Sequence, residues 1–201
     1  MLGDILVFNL DLNMIFALKS VAEGFNPNVA QLTEAQKEND FMTDGEKGVG
    51  ILLYEFALGK GPENRDFYNG VFWNEFFAGD RIDEIKTNFE KVLNEKNLTF
   101  NQFLVNGNMI EGNNSFSPGH TSVVDSFNKH MKANQVQFFV GGSSIEFTPS
   151  TQTGYINVKL SNPTSRYSLL LHSAKSYART RYGSVALSTI NQHFYISIKV
   201  R

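Results

Sequence analysis

The residues best suited to chemistry lie near the end of the chain, between the apolar run Leu169-Leu170-Leu171 and the segment Phe194 to Val200. There His172, Ser173, Lys175, Tyr177, Arg179, Arg181, Ser188, Thr189 and Gln192 bring together an imidazole, guanidinium groups, a phenol, hydroxyls and an amide. Metal-free RNA cleavage needs one group to take the 2′-hydroxyl proton and one to protonate the leaving oxygen. It also needs a cation beside the phosphorus, where negative charge grows in the transition state. His172 suits the acid/base role, with Arg179 and Arg181 as a phosphate clamp and Tyr177 beside them. The same residues also suit a solvated loop, with His172 a strand-end histidine bonded to a backbone carbonyl.

Two further places hold candidate ligand-binding groups. Gln192 is in phase with Phe194, Ile196 and Ile198, so it points inward, where its amide needs a partner such as Ser188, Thr189 or a ligand. His193, by the same alternation, points outward and is set aside as catalytic. The loop Gly59-Lys60-Gly61-Pro62-Glu63-Asn64-Arg65 offers Lys60 and Arg65 as cations beside flexible glycines. It is not a Walker loop, because no strand precedes it and the Gly-Lys-Ser/Thr ending is missing. A plain helix–helix turn, with Glu63 at the positive end of the next helix, explains it with no ligand and is the preferred reading.

Composition narrows the classes. The chain has 201 residues, no Cys, 18 basic and 20 acidic residues, and a net charge of −2. Thiol nucleophiles, disulfides and Cys-ligated zinc are excluded. The slightly acidic balance speaks against a generally basic nucleic-acid binder and leaves only local patches for that task. His120 and His130 fall on nearly opposite faces of one expected helix, and no other spacing suggests a metal site, so none is expected. No cofactor is expected either. No segment reaches the about 18 apolar residues of a membrane-spanning helix. The opening lacks the basic start and cleavage site of a signal peptide and reads as the edge of an excised domain.

The elements that must position these groups follow from periodicity. Leu6, Phe8, Leu10, Leu12 and Met14 alternate with polar residues and predict a strand, followed by a short helix over 17–23 closed by Gly24. Residues 28–42 read as a polar surface connection, at best with a short helix. Thr43 and Glu46 have capping-box spacing ahead of a helix over 45–58 that Gly59 ends. A second helix over 64–78 would carry Phe67, Phe72, Trp73, Phe76 and Phe77, with Gly70 inside it. A third follows Asp80, with Ile82, Ile85, Phe89 and Val92 at helical spacing, and a fourth is expected over 118–133.

From Gln135 the period becomes two. Val136/Phe138/Val140, Ile145/Phe147, Ile156/Val158/Leu160 and Phe194/Ile196/Ile198/Val200 predict strands, with turns at Gly141-Gly142 and Asn162-Pro163. The expected architecture is α+β, with N-terminal helices packed on one face of a C-terminal antiparallel β-meander. Residues 1–45 form a lead-in of strand plus short helix, and residues 46–201 form the main domain.

The segment Tyr54-Glu55-Phe56-Ala57-Leu58-Gly59-Lys60-Gly61-Pro62-Glu63-Asn64-Arg65-Asp66-Phe67 resembles the pattern Tyr-Glu-Phe-x-x-Gly-x-Gly-Pro-Glu-x-Arg-x-Phe. That pattern belongs to toxin domains that close RHS-repeat polymorphic toxins of Bacteroidetes. Phe138-Phe139-Val140-Gly141-Gly142, Asn162-Pro163-Thr164-Ser165, Leu171-His172, Tyr177-x-Arg179 and Ser188-Thr189-x-x-Gln192-x-Phe194 extend the likeness from about residue 50 to the end. Where the pattern has Thr between its two glycines, this chain has Lys60. The resemblance implies an antibacterial effector that a secretion apparatus delivers into a competitor cell and that a cognate immunity protein neutralises. Its parent RHS protein and RNA are the other expected partners. A membrane-permeabilising toxin, motivated by the aromatic segment Phe67 to Phe77 and the apolar amino-terminal run Ile5 to Leu18, and a non-enzymatic binding module are the alternatives.

Overall fold

The computed structural model describes residues 2–112, 134–164 and 185–201, with side chains from Leu12 onward and without that of Phe138. Among these residues are seven α-helices, α1 (Leu2–Phe25), α2 (Glu34–Thr43), α3 (Gly45–Leu58), α4 (Val71–Phe76), α5 (Arg81–Glu95), α6 (Phe100–Asn106) and α7 (Gln135–Val140). Five strands accompany them, β1 (Asn64–Phe67), β2 (Ile110–Glu111), β3 (Ser144–Pro149), β4 (Tyr155–Thr164) and β5 (Ile190–Lys199). Most of the helices precede the main strands, and the class is α+β, as expected. The expected helix over 118–133 lies outside the described residues.

The chain divides into two compact units. The first comprises Met1–Arg65, Gly70–Phe72 and Pro163–Gln192. Its centre is α3, which is buried on all sides from Gly48 to Ala57. A helix that is apolar all round belongs inside a core. Two glycines let neighbours approach it closely. A Cβ on Gly50 would sit 2.9 Å from the Ala22 carbonyl oxygen of α1, and one on Gly48 would strike the rings of Phe72 and Phe41. The helix starts on Asp44, whose carboxylate accepts from Lys47 N at 3.1 Å, while Thr43 instead donates to the Asn39 carbonyl. The Thr43–Glu46 capping box is thereby corrected, although the helix bounds stand.

One other expectation fails in this unit, and one is exceeded. The alternating segment Leu6 to Met14 belongs to helix α1, not to a strand. Extending an existing helix adds one hydrogen bond per residue fixed, without a new nucleation cost, and this outweighs a local alternation. Residues 34–43 form a full helix, opened by the reciprocal capping box of Thr33 and Gln36, and they bury Lys37 and Phe41.

The second unit comprises Asp66–Asn69, Trp73–Asn162 and His193–Arg201. Its core is aromatic: Phe76 stacks on Phe194 at 3.8 Å, Phe67 stacks on Phe194 at 5.0 Å, and Phe89 meets Phe103 and Phe147 at 5.2 and 5.1 Å. Helix α5 buries Ile85, Phe89 and Val92 as its spacing predicts.

The helix expected over 64–78 is corrected. Residues 64–67 form β1, and Gly70, at φ +96°, turns the chain before the short α4 begins. Phe72 and Phe76 keep their helical i, i+4 relation, whereas Phe67 reaches the core from a strand. The Val136/Phe138/Val140 strand is also corrected to helix α7. Spacing by four satisfies both periods, and Val136 and Val140 share a helix face, 0% and 2% exposed. Asn134 caps α7, and Gln137 donates its amide to the carbonyls of Phe76, the last residue of α4, and Ala78 just beyond it.

The strands form one mixed sheet in the order β1-β5-β4-β3-β2. Glu146 faces Lys159 and Ser144 faces Ser161 in the antiparallel β3/β4 pair. His193 touches Ser161 and Ser197 touches Asn157, a falling register that makes β5 antiparallel to β4. Asn191 bonds Asn64 while Tyr195 bonds Asp66, a rising register that sets β1 parallel to β5. The meander is thus joined by one parallel edge strand. Asn162-Pro163 lies inside β4 and not in a turn; the β3–β4 turn is residues 150–154, closed by Gly154 at φ +79°.

Candidate functional site

His172, Tyr177, Arg179 and Arg181 lie outside the described residues. Of the remaining candidates, Lys60 is exposed and Thr189 is half-buried. Gln192 points inward as its phase predicts. It is 0% exposed, and its amide nitrogen donates to the Thr164 hydroxyl at 3.0 Å and to the Ile190 carbonyl at 3.2 Å.

Arg65, the cation offered to a ligand by the sequence, is met by carboxylates of its own chain. Its Nε and Nη2 donate to the two oxygens of Glu55 at 2.8 and 2.5 Å, Nη1 to Glu38 at 2.8 Å, and Nη2 also to Glu34 at 3.1 Å. Lys37 completes the cluster, donating to Glu34 at 2.6 Å and to Glu55 at 2.9 Å. Burial alone would push Lys37 and Arg65 down, but the hydrogen bonds and charges of Glu55 and Glu34 hold both above their ordinary values. For Glu34, burial works to raise the carboxyl, yet Lys37 and Arg65 together hold it below its ordinary value.

This cluster and its neighbours account for several residues of the segment from Tyr54 to Phe67. Glu55 sits on the fully buried α3, so its carboxylate requires the Arg65 fork. Gly59 ends α3 at φ +63°, and the Val185 carbonyl occupies the space a Cβ would take. Gly61, at φ +76°, lies against the Glu55 carboxylate so closely that any side chain would collide with it. Glu63 precedes a strand, which corrects its expected helix-end role, and its carbonyl accepts from Asn191 N at 2.9 Å.

A different set of polar groups gathers on the outward face of the second unit's sheet. Strand alternation puts Tyr195 and Ser197 of β5, Asn157 and Lys159 of β4 and Glu146 of β3 around an open hollow of about 540 Å³, with Tyr68 beside β1. Tyr68 and Tyr195 stack at 4.6 Å and 11°, and the Tyr195 hydroxyl donates to Asp66 at 3.1 Å. Lys159 and Glu146 pair at 3.7 Å across the strands. Next to them, His193 Nδ1 and the Ser161 hydroxyl share a 2.8 Å hydrogen bond.

Burial first, and then Lys159, push the His193 imidazole below its usual range, against the pull of Asp66 and Glu146. A neutral imidazole at physiological pH can accept a proton or a hydrogen bond. Burial and the Asp66 carboxylate push the Tyr195 phenol up to about 12, so it stays a hydroxyl donor. No group of three or more His, Asp or Glu that could hold a metal ion occurs among the described residues. The outward position of His193 was legible from alternation, but its partner Ser161 and the gathering of Glu146, Lys159 and Tyr195 depend on strand register.

Comparison of the chain with protein-family models, with curated proteins and with solved structures finds no match in any of the three.

Proposed function

We propose that this chain is the effector toxin domain of a polymorphic toxin, acting in a competitor bacterium as a metal-independent ribonuclease and neutralised by a cognate immunity protein. One observation supports the reading above others. Within the family-like pattern, Glu55, Gly59, Gly61, Arg65, Phe67, Gln192 and Phe194 are all committed to internal contacts or backbone turns. They account for much of the frame. Among the members left over, Leu171-His172 and Tyr177-x-Arg179, with Arg181 next in sequence, are the ones with side chains suited to acid/base chemistry and phosphate binding.

In that chemistry His172 removes the 2′-hydroxyl proton, the 2′-oxygen bonds to phosphorus, and the P–O5′ bond breaks as the leaving oxygen takes a proton from water. Arg179 and Arg181 neutralise the charge that grows on the phosphoryl oxygens, and Tyr177 orients the substrate. Gln192 and Arg65 leave the substrate-binding set, because their polar groups are already occupied inside the protein. The membrane-permeabilising alternative loses its aromatic motive, because Phe67, Phe72, Phe76 and Phe77 are core residues.

The test is expression of the chain in a bacterial host, with growth and total RNA followed together. Growth arrest with RNA breakdown, both abolished by His172→Ala in a variant of unchanged circular dichroism, is the expected outcome. Full RNA cleavage by that variant would remove His172 from the mechanism. Growth arrest with intact RNA would keep the effector and refute the ribonuclease.

A further inference from the structure

From the hollow on the second unit's sheet we infer a binding site for one neutral sugar ring. This inference is independent of the ribonuclease reading. Three features of the hollow carry it.

The first is the aromatic wall. Tyr68 is 62% exposed yet held parallel to Tyr195, so a broad apolar ring surface is fixed in place and open to solvent. Exposed aromatic surface beside a few convergent polar groups is the general make-up of a small-ligand site, and the C–H face of a sugar ring is its apolar complement.

The second is charge. Glu146 and Lys159, the two ionised groups lining the hollow among the described residues, neutralise each other at 3.7 Å, and the nearby Asp66 accepts from the Tyr195 hydroxyl. A phosphate or carboxylate ligand would have to draw Lys159 away from Glu146 and would meet two carboxylates nearby. A neutral ligand meets no such opposition, and it gains charge-assisted hydrogen bonds from both members of the pair.

The third is the type of polar group. A carboxylate, an ammonium, the Asn157 amide and the Ser197 hydroxyl lie side by side along adjacent strands. Ser197 Oγ donates to Asn157 Oδ1 at 3.1 Å and Asn157 Nδ2 to the Pro149 carbonyl at 3.3 Å, which leaves the second amide N–H and the remaining oxygen lone pairs to a ligand. Adjacent sugar hydroxyls, each both donor and acceptor, match such a mixed rim. A nucleobase would instead need a fixed planar edge opposite its own.

The test is a titration of the full chain followed by NMR, with glucose, galactose and N-acetylglucosamine as neutral saccharides, glucuronate as an anionic one, and uridine and adenosine as nucleosides. Saturable shifts are expected with at least one neutral saccharide in the millimolar range and weaker binding of glucuronate than of glucose. Tyr68→Ala should weaken the saccharide about tenfold, the loss of one aromatic contact, whereas Tyr68→Trp retains it. Because Tyr68 is largely exposed, the Ala variant keeps its fold, which unchanged amide dispersion verifies. The inference is overturned by any of four results: no saturable binding of a neutral saccharide, a nucleoside binding more tightly than every saccharide, glucuronate binding as well as glucose, or Tyr68→Ala binding like the wild type.

Discussion

Replacing Arg65 by Leu removes the guanidinium that Glu55 depends on, and the loss can be estimated from the contacts. The bonds to Glu34 and Glu38 contribute little, since those carboxylates are 62% and 65% exposed and an exposed pair contributes about 0–1 kcal/mol. The bonds to Glu55 are different in kind, because that side chain is 0% exposed. Removing one partner of a buried pair costs about 3–5 kcal/mol, mostly because the other charge is left uncompensated. Lys37, 2.9 Å from Glu55, reduces the penalty but covers only one of its oxygens. The guanidinium also lies 5.1 Å over the Phe41 ring, a contact of about 0.5–2 kcal/mol. Arg65→Leu should therefore destabilise the fold by about 3–5 kcal/mol, measured as a shift in the urea midpoint at constant slope. The paired variant Glu55→Leu with Arg65→Leu removes both charges and should recover part of that loss. A single-variant loss below about 1 kcal/mol would show that the cluster behaves like a surface ion pair, and additive losses in the pair would refute the coupling argued here.

Gly59→Ala should cost more than Gly79→Ala in thermal denaturation. Both positions have positive φ, which costs an L-residue about 1–2 kcal/mol, but only at Gly59 does the new Cβ meet backbone, that of Val185; equal losses would contradict that packing. The His193 imidazole should titrate by NMR below the usual 6.5, because burial and Lys159 disfavour its cation. Its folded pKa is depressed, so the stability it contributes is present above 6.5 and is lost as pH falls through the folded value. Lys159→Gln should move the midpoint upward, and a wild-type midpoint at or above 6.5 would overturn the assignment.

Local grammar in the sequence determined much of this protein. Helix 45–58 with its terminal glycine, the spacing of Ile85, Phe89 and Val92 on α5, the strands around Phe147, Val158 and Ile196, and the inward phase of Gln192 all depend on neighbours a few positions away. Such neighbours set side-chain direction through a fixed period. Tertiary structure decided whatever that period left ambiguous or involved distant partners. Val136 and Val140 fit a helix and a strand equally, and the Gln137 amide on the carbonyls of Phe76 and Ala78 favours the helix. The segment around Arg65 looked like a ligand loop until Glu34, Glu38 and Glu55 closed on it from two helices. The Tyr68, Tyr195, Lys159 and Glu146 hollow draws on three strands and the residue after a fourth, and no spacing within one strand fixes which residues of another lie beside it.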